Sequence, residues 1–226
     1  MSDVILFDLD GTLTDSRPGI VNCLRYMLDD LGIDHPTDDV IQTFLGPPLS
    51  VTLRDHYGLD NDEILRAIAK YRVRYHEVGL FENDVYDGIP ELLENLRALD
   101  GVRLATATSK PTEPATRILE HFDLAQYFDF IGGASLDHTR EAKADVIAHT
   151  LTALDIDPEG VPRELATGTR IVMVGDREHD VKGAKAHGIP AIGVLWGYGS
   201  EYELAAAGAL MTVPNPAMLG RVLHSL

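Results

Sequence analysis

Five short apolar runs recur along the chain: Val4-Ile5-Leu6-Phe7, Val102 to Ala107, Phe128 to Ile131, Ile171 to Val174, and Ala191 to Leu195. They are nearly continuous rather than alternating, which is the pattern of strands buried on both faces. Helical periodicity lies between them. Ile89, Leu92, Leu93, Leu96 and Leu99 fall at i, i+3, i+4, i+7 and i+10, and Val146, Ile147, Leu151 and Leu154 form a second stripe. Strand–helix alternation of this kind predicts an α/β fold with a parallel sheet.

The rhythm breaks from about Asp15 to Asp84. Ile20, Leu24, Met27, Leu28 and Leu31 make one apolar stripe, and Ile64, Ile68, Tyr71, Tyr75 and Val78 make another at spacings of three and four. Gly46-Pro47-Pro48 interrupts helix between them. No strand candidate occurs here. The spacing predicts an α-helical domain over residues 15–84, inserted into a Rossmann-like core formed by residues 1–14 and 85–226. The other reading is that these helices simply cover the sheet. Asp157 to Thr169 is polar, contains Pro and Gly, and reads as a surface loop.

Composition narrows the class. The chain has 226 residues, 45% of them hydrophobic, enough for one sizeable core or a core with a small second lobe. No apolar run approaches the ~18 residues of a membrane span. Met1-Ser2-Asp3 lacks the basic region of a secretory signal. Cys23 stands alone and cannot form an intramolecular disulfide. A soluble, cytoplasmic protein that does not engage membranes is expected. Thirty-six acidic against nineteen basic side chains give a net charge of −17. That balance argues against a nucleic-acid partner, which needs clustered Lys and Arg. It also means that an anionic substrate would be repelled unless a local cation reverses the sign.

The densest chemical signal is Phe7-Asp8-Leu9-Asp10-Gly11-Thr12. The two-residue strand period puts Asp8 and Asp10 on one side of the chain at the strand's C-terminal end, where open α/β sheets bind ligands. Two carboxylates so close need either a proton or a cation between them. Gly11 can turn the chain at positive φ, and Thr12 offers a hydroxyl and an amide. A plain strand-end turn would also use Asp and Gly. An EF-hand does not fit, because its required Gly and Glu positions hold Leu13 and Gly19.

A second signal, Gly175-Asp176-Arg177-Glu178-His179-Asp180, follows another buried strand. If a helix begins here, both Asp176 and Asp180 can point toward the strand ends. Oxygen ligands from Asp8 and Asp176, completed by water, suit Mg²⁺. His179 has no company that would make a zinc site. Thr108-Ser109-Lys110, after the second apolar run, offers a hydroxyl and amides suited to a phosphate at a helix N-terminus. Lys143, before an apolar-periodic helix, reads locally as a solvated charge.

Taken in order, Asp8-x-Asp10-Gly11-Thr12, Thr108-Ser109-Lys110, Lys143 and Gly175-Asp176-x-x-x-Asp180 resemble the haloacid dehalogenase-like (HAD) phosphohydrolases over essentially the whole chain. The inserted helices match the cap of the subgroup in which the cap follows the first motif. Phe44-Leu45-Gly46-Pro47-Pro48-Leu49, Ala107 to Pro111 and Gly175 to Asp180 look most like the phosphoglycolate-phosphatase and bacterial 5′-nucleotidase-like branch. The resemblance implies a Mg²⁺-dependent phosphatase acting on a small phosphorylated metabolite. It makes Asp8 the nucleophile that forms an aspartyl-phosphate, and Asp10 the general acid and then base. Thr108 would hold the transferring phosphoryl and Lys143 neutralise charge. Asp176 would ligate Mg²⁺ with Asp8 and the Asp10 backbone carbonyl, with Asp180 in support. Gly11, Thr12, Ser109 and Lys110 complete the substrate-binding candidates.

This sequence departs from the family pattern in two places. Ala144 follows Lys143 where many members have Pro, and Lys110 adds a second cation, so both lysines are candidates for charge neutralisation. A phosphomutase acting on a sugar phosphate is the alternative, and a non-catalytic phosphate-binding module a more distant one. Gly193, Gly197 and Gly199 lack the spacing of a dinucleotide fingerprint and read as a loop beside the site or a strand-end turn. Specificity is expected from the cap, with Arg17, Phe44, Gly46-Pro47-Pro48, Arg54 and Arg72 or Arg74 as candidates.

Overall fold

The computed structural model describes residues 3–37, 40–41, 44, 49–137, 139–159 and 170–225. Its contacts divide into two compact units, Met1–Asp15 with Val85–Leu226, and Ser16–Asp84.

The first unit is built on a six-stranded, all-parallel sheet: β1 (Asp3–Phe7), β2 (Val102–Pro111), β3 (Phe130–Ala134), β4 (Ile171–Gly175), β5 (Ala191–Val194) and β6 (Met211–Val213). The order across the sheet is β3-β2-β1-β4-β5-β6, and the neighbours pair in parallel. Phe7 lies in register with Thr106 on one side and Val174 on the other. The connections run outward in opposite directions from β1, so the crevice at its C-terminal end is the topological switch point. Asp8 emerges at that crevice, its amide bonded to the Val174 carbonyl.

Continuous burial explains the continuous apolar runs. Val4 and Leu6 pack with Val146, Ile147, Met173, Val181 and Leu204 in one core, beneath α6 (Lys143–Ala153), α7 (Glu178–Ala186) and α8 (Glu201–Ala207). On the opposite pleat, Ile5 and Val172 line a cavity of about 470 Å³ with Leu96 of α4 (Ile89–Arg97) and Leu223 of α9 (Pro216–Ser225). A further helix of this unit, α5 (Thr112–His121), follows β2.

The sheet differs from the sequence expectation in two places. β2 runs on to Pro111, with a register shift between Thr108 and Pro111, and helix starts only at Thr112. A residue before proline is biased away from helical angles, which holds Lys110 extended. Thr108 and Ser109 therefore belong to a strand and not to the first turn of a helix. Strand β6 has no counterpart among the apolar runs. It is a three-residue edge strand in which only Val213 is buried.

In the second unit α1 (Arg17–Leu31), α2 (Leu49–Tyr57) and α3 (Asn61–Arg74) enclose Leu24, Met27, Leu28, Ile41, Phe44, Leu53, Ile64 and Ala67. A capping box starts α3: the Asp60 carboxylate accepts from Glu63 N, and the Glu63 carboxylate accepts from Asp60 N. α3 passes directly into a π-helical turn, Tyr75–Gly79. That wider turn breaks the 3.6-residue stripe. Val78 is consequently 45% exposed, while Gly79 is buried against α1. At the boundaries, Asp15 and Asp84 each lie in a two-residue extended segment, Thr14–Asp15 and Asp84–Val85.

Among the described residues no helix is long and apolar enough to cross a membrane. Most of the expected loop at 157–169, and the Gly46-Pro47-Pro48 turn, lie outside the described residues.

Candidate active site

Asp8 is the first residue past β1, and three other segments bring charge to it. Lys143, the first residue of α6, places its ammonium 3.0 Å from Asp8 Oδ1 and 2.7 Å from Asp180 Oδ1, and donates to the Ala107 carbonyl at 2.9 Å. Those three acceptors match the three protons of an ammonium. Only 7% of Lys143 is exposed, so its solvated local context is overturned by partners distant in sequence. Burial works against its charge, but Asp180 and Asp8 outweigh that and hold the ammonium above the ordinary lysine range. Position 144 sits in the first turn of α6, where proline is also tolerated.

Asp176 follows β4, and Asp180 sits in the first turn of α7, accepting from Arg177 N at 3.0 Å. Oxygens of Asp8, Asp176 and Asp180 all lie within 4.8 Å of one another. Burial, then Asp180 and Asp8, push Asp176 up to about 8. Burial and Asp8 raise Asp180 to about 6 against the pull of Lys143. Buried carboxylates this close cannot all be ionised without a further cation. An all-oxygen donor set fits Mg²⁺. Asp180 holds Lys143 with one oxygen and Arg177 N with the other, and Asp176 likewise accepts from Thr12 Oγ1 and Tyr198 N, so Asp8, Asp176 and Asp180 together are the residues that could hold the ion. His179 is exposed.

On the other flank, Lys110 Nζ pairs with Asp10 Oδ2 at 3.0 Å, and Lys110 is buried. Asp10 Oδ1 is also buried, with no hydrogen-bond partner among the described residues. Thr108 is buried at the end of the same strand, its hydroxyl accepting from Lys110 N at 3.2 Å, whereas Ser109 is exposed. Gly11 and Thr12 do not present free amides. Gly11 N donates to the Thr14 carbonyl and Thr12 N to the Leu9 carbonyl, closing the turn. Thr12 Oγ1 instead reaches Asp176 Oδ1 at 3.4 Å. Gly11 has φ +81°, and a Cβ there would meet Asp176 Oδ2 at 2.3 Å, so both conformation and space demand glycine.

Among the specificity candidates, Phe44 is in the core of the helical unit against His56 and Tyr57. Arg74 is committed to a two-pronged ion pair with Glu82 and a bond to Cys23 Sγ. Arg54 donates to Asn61 Oδ1, and Arg72 is exposed.

Residues 5–194 match the model of the haloacid dehalogenase-like hydrolase family. The chain belongs to this family. It is 43% identical over 221 residues to a 5′-nucleotidase of Pseudomonas aeruginosa, covering 98% of this chain and 95% of that protein. It is 47% identical over 196 residues to the tyrosine-protein kinase PtkA of Mycobacterium tuberculosis, covering 87% of this chain. The match spans only 63% of PtkA's length. A crystal structure titled as a predicted phosphatase from Clostridium acetobutylicum superimposes with a TM-score of 0.85 at 41% identity, covering 100% of both chains.

This haloacid dehalogenase-like hydrolase holds its acidic turn with the segment 196–199, which reads in the sequence as a glycine-containing loop or strand-end turn. After β5, Trp196 Nε1 donates to the Thr12 carbonyl at 3.0 Å, and Tyr198 N donates to Asp176 Oδ2 at 2.7 Å. The Tyr198 hydroxyl donates to Asp15 Oδ1 at 3.0 Å. Gly197 permits the close approach, since a Cβ there would lie 2.2 Å from the Gly11 carbonyl oxygen. The signal available in the sequence was Trp and Tyr interleaved with glycine directly after a buried strand. Nothing local names their partners, which lie more than a hundred residues away for Trp196.

Proposed function

We propose that this hydrolase is a Mg²⁺-dependent phosphatase of small phosphate monoesters that works through an aspartyl-phosphate on Asp8. One observation carries the reading: a buried ammonium, Lys143, spans Asp8 and Asp180 while Asp176 stands within 4.8 Å of both. A nucleophilic carboxylate can approach a dianionic phosphoryl only where charge is neutralised in advance; inside a protein of charge −17, Lys143 and Lys110 supply part of that neutralisation and a divalent cation would supply the rest.

In the first step an Asp8 carboxylate oxygen bonds to phosphorus, the bond to the ester oxygen breaks, and Asp10 gives its proton to the departing alcohol. In the second, Asp10 takes a proton from water, the water oxygen bonds to phosphorus, and the bond to Asp8 breaks to release inorganic phosphate. Splitting one displacement in two is the advantage of the covalent route. Lys110 keeps the Asp10 carboxylate oriented and leaves the buried Oδ1 to handle the proton. Lys143 fixes Asp8 and offsets the phosphoryl charge, and Thr108 lines the phosphoryl pocket. Asp8 and Asp176, with the Asp10 carbonyl, would hold Mg²⁺, which supplies electrostatic stabilisation of the phosphoryl oxygens.

The identity to a 5′-nucleotidase favours nucleoside 5′-monophosphates as leaving-group class, with phosphoglycolate as the next candidate. The identity to PtkA favours a second reading, in which a tyrosine hydroxyl replaces water as phosphoryl acceptor.

Nucleoside 5′-monophosphates, phosphoglycolate and a sugar 1-phosphate should be assayed side by side for phosphate release, with ATP plus a tyrosine-containing protein as the transfer arm. Release of phosphate that rises with Mg²⁺ and stops with chelator is expected. Mg²⁺ at a hundred times its Kd should also stabilise the fold by about 2.7 kcal/mol, a Tm rise of roughly 5–10 °C, absent in Asp176→Asn. Turnover indifferent to chelation would overturn the metal assignment. A 6-phosphate product would replace hydrolysis by mutase action, and phosphotyrosine without phosphate release by kinase action.

A further inference from the structure

The acidic turn carries a cation of its own that pairs outside the carboxylate cluster, with Glu203. Arg177 lies between Asp176 and Asp180, and its backbone N–H bonds to Asp180 Oδ2 at 3.0 Å. Its side chain is held by Glu203, with Nε 2.7 Å from Glu203 Oε1, and from there its charge also acts on Asp176 and Asp180. The same oxygen accepts from Glu178 N at 2.9 Å, at the start of α7. Glu203 is itself well placed for this, because its amide donates to the Ser200 hydroxyl that caps α8.

An arginine is charged at every accessible pH, and its planar fork matches a carboxylate in two prongs. A guanidinium attached one residue from Asp176 is therefore a built-in competitor for any divalent cation. The make-up of the site shows what such competition would cost. Four carboxylates, Asp8, Asp10, Asp176 and Asp180, stand against the two lysines Lys110 and Lys143 that pair with them. That excess of acid suits one divalent ion and would shrink if the guanidinium left Glu203 for the carboxylates.

We propose that Glu203 is a positioning residue that parks the Arg177 guanidinium away from the Asp8–Asp176–Asp180 carboxylates, so that the cluster takes a divalent cation and not its own arginine. The inference rests on the Mg²⁺ reading given above and adds to it a residue that touches neither metal nor substrate.

The test is a set of four metal-stripped proteins, wild type, E203Q, R177M and the double variant, titrated with Mg²⁺ alone by calorimetry in the absence of substrate. Glutamine keeps an oxygen acceptor for Glu178 N while removing the charge that retains Arg177. E203Q should bind Mg²⁺ roughly 10-fold more weakly, the scale typical of residues that orient metal ligands. The double variant should return to within about twofold of R177M, because no arginine remains to be parked. Unfolding curves in chelator establish that each variant is folded, and E203A takes the place of E203Q if glutamine is not tolerated. Equal affinity of E203Q and wild type would overturn the inference, as would a double variant that binds no better than E203Q, which would mean that Glu203 only shapes the turn. A wild type that takes up no Mg²⁺ overturns the phosphatase reading together with this one, so the two failures are distinguishable.

Discussion

Asp8→Asn should abolish turnover and leave the protein folded, and in chelator slightly more stable than wild type. The loss expected is roughly 10⁴–10⁶-fold in kcat, the range seen when a covalent nucleophile is removed. Asparagine keeps the size of the side chain, and Lys143 retains Asp180 and the Ala107 carbonyl as partners. Stability should rise because one of three mutually repelling carboxylates has lost its charge. Steady-state kinetics with Mg²⁺ and denaturant unfolding without it measure the two halves separately. Activity within tenfold of wild type would show that Asp8 is no nucleophile, whatever the stability.

Lys143→Met should damage both fold and chemistry. Methionine fills the volume but leaves Asp8 and Asp180 buried without their cation, and breaking a buried pair from one side costs about 3–5 kcal/mol. Turnover should fall by roughly 10²–10³-fold with the loss of one preorganised charge contact. The pH dependence has a definite sign. Asp180 and Asp176 have native values near 6 and 8, above those of the unfolded chain, so the native state binds more protons than the unfolded one between those limits. Stability then falls as pH rises through that window. Removing the ammonium raises the Asp180 value further, so the deficit of the variant relative to wild type should be larger at pH 8 than at pH 5.5. Unfolding midpoints in chelator at the two pH values check this, and a deficit that grows toward acid would contradict the assignment.

The parallel sheet was legible because its central strands are buried on both faces, so Val4 to Phe7 and Ile171 to Val174 had to be apolar at every position. Met211–Val213 was not, because an edge strand with Met211 and Thr212 half in solvent needs no such run. Val78 was misplaced for a geometric reason, since a π-helical turn leaves no mark in residues spaced for an α-helix. In the site, Asp8, Asp10, Asp176 and Asp180 could be singled out because strand ends and short-range spacing place them. Lys143 could not be singled out by local context, which is that of a solvated side chain. Its burial is created by Asp8, Asp180 and Ala107, contributed by three separate segments. The same holds for Trp196, Tyr198 and Glu203, whose partners are set by the order of strands in the sheet and not by neighbouring residues.

The central claim is that a phosphoryl group resides for a time on Asp8. Mixing enzyme, Mg²⁺ and a turned-over phosphate monoester, quenching rapidly in acid and mapping the peptides by mass spectrometry measures it directly. The result expected is one added phosphoryl group on the peptide containing Asp8, absent when Mg²⁺ is chelated and absent in Asp8→Asn. Undiminished turnover with the label on another residue, or with no label at any quench time, would contradict it.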